Sequence, residues 1–139
     1  YHYFIHVGRD PFQRYYSLEM PYELDFDRMN EAARFLLEVK DFGSFCKAGA
    51  DVKTTLCEVS KAQWELIEAG DVARWRFVIT ANRFLRNMVR AVVGTLVDVG
   101  RGKISIEEFR QIIASGSRSN AGESMPGNAL FLWEVKYER

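Results

Sequence analysis

Cysteine is scarce in this chain of 139 residues, with only Cys46 and Cys57. The two lack metal-ligand spacing and a cysteine-rich context. A disulfide framework and a zinc ribbon are therefore excluded, and reduced thiols in a core are expected. Charge of one sign is also lacking: 19 Lys and Arg balance 19 Asp and Glu. That argues against a wholly basic nucleic-acid binder. No apolar run approaches the ~20 residues needed to span a bilayer, and no charged-then-apolar leader opens the sequence. A cytoplasmic protein is the expectation, with no membrane partner. Histidine is limited to His2 and His6, both in a strand-like opening, and neither reads as catalytic. Asp10, Asp25, Asp27, Asp41, Asp51, Asp71 and Asp98 sit where turns, caps or helix ends account for them. No metal cluster, phosphate-cradling glycine loop or nucleophile triad is present, so neither a metal nor a cofactor is expected.

What is present is ample apolar material. Hydrophobic residues make up 47% and aromatics 14%, enough for one core, so residues 1–139 read as a single domain. The charge is unevenly spread. Between Arg74 and Arg118 nine Lys/Arg face three Asp/Glu, and the remainder of the chain offsets that excess. One basic half is compatible with a phosphate backbone.

Residues 1–7 (Tyr-His-Tyr-Phe-Ile-His-Val) alternate as a strand from the first position, and residues 8–11 carry turn chemistry. With neither an initiator methionine nor a polar lead-in, this opening suggests that something N-terminal has been removed. A helix is expected over 27–40, capped by Asp25 or Asp27, with Phe26, Met29, Ala33, Leu36 and Leu37 on its buried stripe. An irregular connection follows, to 53. Residues 54–66 and 74–80 read as strands of an antiparallel hairpin turning at 68–71, with Trp75, Phe77 and Ile79 on one face and Arg74, Arg76, Val78 and Thr80 on the other. Near residue 105, Ser105 and Glu108 form a Ser-x-x-Glu capping box, and Ile104 and Phe109 are spaced for a hydrophobic staple. A Gly/Ser/Asn-rich loop over 115–128 precedes a last strand over 129–137. The expected fold class is two-layer α+β, a largely antiparallel sheet with helices packed on one face.

The segment 82–100 is the most informative. Read as one helix, it places Phe84, Leu85, Met88, Val89, Val92, Val93 and Leu96 on a broad apolar face. Arg83, Arg86, Asn87 and Arg90 fall within about a quarter-turn of each other. Gly94, one turn beyond, leaves room for another group to approach the Arg90 guanidinium. This wedge is either a solvated basic face or an anion site. In the second case Arg90, at the margin of the buried stripe, pairs with a carboxylate or phosphate through its planar fork.

Several of these segments, taken in order, resemble one family. They are Tyr1-His2-Tyr3; Asp41-Phe42-Gly43-Ser44-Phe45; Asn82-x-Phe84-Leu85-Arg86-Asn87-Met88-Val89-Arg90-x-x-x-Gly94-Thr95-Leu96; Val99-Gly100-x-Gly102-Lys103; Ala121-Gly122; Leu130-Phe131-Leu132; and Val135-x-Tyr137. Together they resemble tRNA pseudouridine synthases of the TruA type over nearly the whole chain. The resemblance implies homodimers that isomerise uridine to pseudouridine in the anticodon stem and loop of tRNA, without a cofactor. It also implies an essential aspartate in a Gly-Arg-Thr-Asp-Ala-Gly-Val-His motif. That motif is not in this sequence, so the chain looks like the C-terminal part of such an enzyme, inactive by itself.

By position, the resemblance gives Tyr1 the role of packing on the target base and Arg90 that of pairing with the aspartate. Arg74, Arg76, Arg83, Arg86, Arg101 and Lys103 are secondary candidates for tRNA phosphate contacts, which position RNA without selecting the uridine. Ala129, where the family usually has glycine, and Met125-Pro126-Gly127, in place of an alanine-proline segment, depart from the pattern. A non-catalytic RNA-binding or dimerisation module, or a protein-interaction domain, is the alternative.

Overall fold

The computed structural model describes residues 1–7, 18–20, 23–46, 54–69, 73–85, 87–115, 125 and 130–131. The expected turn at 8–11, Gly70 and Asp71 of the hairpin turn, most of the 115–128 loop, and the last strand apart from 130–131 lie outside the described residues.

Strand β1 (His2–Val7) runs antiparallel to β4 (Ala73–Ala81), in a register that sets Tyr3 opposite Phe77 and Ile5 opposite Trp75. Strand β3 (Val59–Glu68) completes the expected hairpin with β4, and Trp64 lies opposite Phe77. Two short strands share the other edge of β1. Leu130–Phe131 (β5) is antiparallel to its start, and Leu18–Met20 (β2) is parallel to its end. The parallel pair β1–β2 was not apparent in the sequence, because three residues are too few to show an alternation.

Side-chain alternation sends Tyr3, Ile5, Ala62, Trp64, Phe77 and Ile79 to one face, where all are buried. Three helices cover that face: α1 (Phe26–Phe35), α2 (Met88–Gly100) and α3 (Ile106–Ser115). Phe26 of α1 stacks on Trp75 with ring centroids 3.7 Å apart and meets Trp64 edge-on. Large side chains buried completely in this core, Tyr3 and Phe77 among them, each contribute roughly 1.5–3 kcal/mol through burial.

Local signals account for the helix starts. The Asp25 carboxylate accepts from the Arg28 N–H at 3.1 Å and caps α1. For α3 the capping box closes in both directions: Glu108 N–H donates to Ser105 Oγ at 3.0 Å, and Ser105 N–H to Glu108 Oε1 at 3.1 Å. Phe109 is fully buried and Ile104 packs partly against the same core.

Two expected helices are shorter than the sequence suggested. α1 ends at Phe35 rather than near 40. The N–H groups of Leu36, Leu37 and Glu38 donate three residues back, which tightens the chain and turns Leu37 out to 43% exposure. Leu37 is thus not part of the buried stripe. α2 begins at Met88 rather than 82. Asn87 adopts left-handed backbone (φ 68°), a conformation asparagine tolerates, and interrupts the helical path. From Met88 to Gly100 every residue except Arg90 and Asp98 is buried, so α2 is the central helix of the core. Its carboxyl end lies against the start of α1: Asp25 N–H donates to the Gly100 carbonyl at 3.0 Å, and a β-carbon on Gly100 would meet Met29 Cγ at 2.9 Å.

The expected strand at 54–66 is likewise divided. Residues 54–58 leave the sheet and pair with 40–42, Phe42 N–H donating to the Thr55 carbonyl and Cys57 N–H to that of Lys40. Further along, Asn30 of α1 serves as a substitute strand at the open edge of β3. Its side-chain amide accepts from Trp64 N–H at 2.6 Å and donates to the Trp64 carbonyl at 3.2 Å. That satisfies one outward pair of a sheet edge that would otherwise invite strand addition.

Candidate functional site

Tyr1 precedes β1 but shares its pairing, since Ile79 N–H donates to the Tyr1 carbonyl at 3.0 Å. The half-buried Tyr1 ring stands perpendicular to Phe84, with centroids 4.9 Å apart. An edge-to-face pair of this kind contributes ~0.5–1.5 kcal/mol beyond burial and fixes the ring plane. The sequence placed Phe84 on a helix face packed into the core. Because α2 starts only at Met88, Phe84 instead sits on the connection from β4 and braces Tyr1. The Tyr-x-Tyr and Asn-x-Phe motifs were both visible, but nothing local joins them.

Arg90 lies in the first turn of α2 and is half-buried. Its Nε–H donates to the Met125 carbonyl at 2.7 Å. Its own carbonyl accepts from Met125 N–H at 3.1 Å. The guanidinium plane is thereby oriented by a neutral acceptor. The two terminal nitrogens make no ion pair or hydrogen bond among the described residues. Such a fork accepts a carboxylate or phosphate in bidentate geometry, and the amino-terminal end of α2 adds favourable potential for an anion.

The fully buried Tyr3 adjoins this group. Burial pushes its hydroxyl above the ordinary phenol range, and the Arg90 charge pulls it only partly back. Tyr3 therefore stays protonated near neutral pH and is not a base.

The remaining basic candidates are dispersed. Arg83 is not on a helical wedge with Arg90. Its Nη1 donates to the carbonyls of Thr54 and Leu56 at 3.1 and 3.2 Å, while Asn82 exchanges hydrogen bonds with Glu58. Together they hold the segment that left the sheet. The expected wedge of Arg83, Arg86, Asn87 and Arg90 does not form as one helix face, because Asn82 and Arg83 are engaged non-locally and Asn87 breaks the helix.

Arg74 and Arg76 lie on the sheet face opposite the helices, as the alternation required. Arg74 is buried and pairs with Glu68 at 3.3 Å; Arg76 Nε donates to Glu65 at 2.8 Å. The Arg76 hydrogen bond holds the Glu65 carboxyl below its ordinary range. Arg74 is five residues along β4 from Ile79, the partner of Tyr1, or roughly 17 Å away. Arg101 and Lys103 are exposed beyond the far end of α2, with Arg101 roughly 16 Å along the axis from Arg90. Arg86 lies outside the described residues.

An α+β domain that presents an arginine oriented by a main-chain carbonyl, with no carboxylate partner among the described residues, and a tyrosine braced edge-on by a phenylalanine is the class these observations define. The sequence pattern of the tRNA pseudouridine synthases matches residues 32–138, and the chain belongs to that family. Among curated relatives, the tRNA pseudouridine synthase A of Bacteroides thetaiotaomicron is 52% identical over 99% of this chain and 51% of its own length. That of Porphyromonas gingivalis is 50% identical over 99% of this chain and 54% of its own length. That of Bacillus licheniformis is 40% identical over 99% of this chain and 55% of its own length. The chain thus spans about half the length of the curated relatives it matches. Among the described residues no helix is long and apolar enough to cross a membrane, and no group of three or more His, Cys, Asp or Glu could hold a metal.

Proposed function

We propose that these residues are the arginine- and tyrosine-bearing part of a tRNA pseudouridine synthase that isomerises uridine to pseudouridine in the anticodon stem-loop. The observation that carries this reading is Arg90, whose plane is set by the Met125 carbonyl while its terminal nitrogens meet no partner among the described residues. The partner is the family's aspartate, supplied from outside these 139 residues. A guanidinium beside that carboxyl favours its ionised form and fixes its orientation. Tyr1, held by the Ile79 pairing and by Phe84, stacks on the uracil of a flipped nucleotide. The reaction breaks the glycosidic N–C bond, turns the uracil and forms a C–C bond in its place. It is redox-neutral and takes no cofactor.

Contact with tRNA phosphates falls first to the exposed Arg101 and Lys103. Arg74, Arg76 and Arg83 are less exposed and contribute less, and Arg86 keeps the candidacy the sequence gave it. Homodimerisation and a cytoplasmic location belong to the same proposal.

The test uses the complete polypeptide that contains these residues. Arg90→Ala should abolish pseudouridine formation while tRNA still binds. Normal turnover by that variant would overturn the reading. So would pseudouridine formation by the 139-residue chain alone, which would show that no outside aspartate is needed. Loss of tRNA binding at low salt would favour a protein-interaction domain.

A further inference from the structure

We infer that Met125 is a positioning residue for Arg90, acting through its main chain as a two-point clamp. This inference rests on the synthase reading above.

Met125 and Arg90 are 35 positions apart, yet they exchange two hydrogen bonds. Met125 N–H donates to the Arg90 carbonyl at 3.1 Å, and Met125 C=O accepts from Arg90 Nε–H at 2.7 Å. The first bond ties the Met125 segment to the first turn of α2. The second uses that tie to set the plane of the guanidinium. Met125 also packs its half-buried side chain against the hydrophobic core, a third anchor that keeps the peptide in place.

Two chemical features suit the residue to this work. The carbonyl is neutral, so it orients the guanidinium without cancelling the charge that an incoming carboxylate needs. The next residue is Pro126, and a following proline biases Met125 towards extended backbone and restricts its freedom to swing away. A carboxylate in the place of the Met125 carbonyl would have engaged Nε as well, but its charge would have occupied the site. The methionine side chain is needed only for its apolar bulk, so its identity in the sequence gives no hint of the role.

The experiment uses the complete polypeptide and three changes at position 125. Met125→Leu keeps both hydrogen bonds and the apolar anchor, and should turn over as the wild type does. Met125→Pro removes the N–H donor. Replacing Met125 by its α-hydroxy acid, which turns that amide into an ester, removes the same donor with little steric change and decides the test if the proline variant does not fold.

A displaced guanidinium should lower kcat by up to about 100-fold, as small misplacements at reacting centres do, while KM for tRNA stays within about 2-fold. The acid limb of the kcat–pH profile should move upward, because the aspartate loses the cation that favours its ionised form. A purely structural role would lower thermal stability without moving that limb. If Arg90→Ala is inactive but the ester variant keeps wild-type kcat and an unmoved acid limb, the clamp is refuted while the synthase reading stands. If Arg90→Ala is fully active, that reading falls and the clamp with it.

Discussion

Arg90 and Arg76 carry the same charge, and each uses Nε–H in one short hydrogen bond. They differ in what accepts it. Arg76 donates to the Glu65 carboxylate at 2.8 Å and is neutralised within the sheet. Arg90 donates to a main-chain carbonyl at 2.7 Å and meets no carboxylate among the described residues. A carbonyl and a carboxylate can each orient a guanidinium, but only the carboxylate compensates it. An arginine built to meet an outside anion therefore needs a neutral acceptor, and an arginine that ties two strands together does not. Counting basic residues in this half of the chain would have treated the two alike.

The sharpest way to break that comparison is to truncate both. In the complete polypeptide, Arg90→Ala should lower kcat by about 1,000-fold or more, equivalent to ~4 kcal/mol at 1.36 kcal/mol per tenfold. Arg76→Ala should leave kcat within a few-fold. Similar kinetic losses in steady-state pseudouridine assays would show that the identity of the acceptor does not matter.

Next in size is Tyr1→Ala. If the ring stacks on the target base as proposed, the change removes a platform worth roughly 1–3 kcal/mol per base, and activity should fall about 10- to 100-fold while Tyr1→Phe stays near wild type. A Tyr1→Phe variant as slow as Tyr1→Ala would mean that the hydroxyl, not the ring face, does the work.

A third change tests the scaffold without the site. Asn30→Ala leaves the outward N–H and carbonyl of the buried Trp64 without their side-chain partner. The expected cost is roughly 1–3 kcal/mol of stability, read as a lowered Tm with kcat at permissive temperature unchanged.

The smallest effect is expected at Glu65. Its folded-state pKa is depressed, chiefly by the hydrogen bond from Arg76, so its contribution is present above the ordinary carboxylate pKa and is lost as pH falls through the lowered value. The pair is partly exposed, and an effect below about 1 kcal/mol is expected. The stability advantage over Glu65→Gln should be small at pH 7 and vanish in acid. An advantage that grew on acidification would contradict the depressed carboxyl.

Much of the architecture was legible because it is local. The alternation of Tyr3, Ile5, Phe77 and Ile79, the Asp25 cap and the Ser105–Glu108 box are settled by residues a few positions apart, and the structure shows each of them. The stretch 82–87 was misread for a physical reason. Its apolar spacing continues that of α2, but Asn82 and Arg83 hydrogen-bond to residues 54–58, and Asn87 takes left-handed backbone. Helical periodicity is a necessary signal, and distant hydrogen bonds override it. Phe84 packs partly against the core, as its apolar spacing implies, but from the connection after β4 rather than from α2, and there it also supports Tyr1.

The sequence by itself determined the fold class and the caps of α1 and α3, through side-chain types at short spacing; Arg90 stood out by its place at the margin of an apolar stripe, and Tyr1 through the family resemblance alone. Only the tertiary structure decided which of these arginines meets a carboxylate and which a neutral carbonyl. That property depends on partners brought together by packing: Glu65 opposite Arg76 across a strand pair, Thr54 and Leu56 under Arg83, and Met125 folded back onto Arg90 from 35 residues away. Local preferences choose the elements, and the electrostatic fate of each charge is set by the neighbours that the packed core supplies.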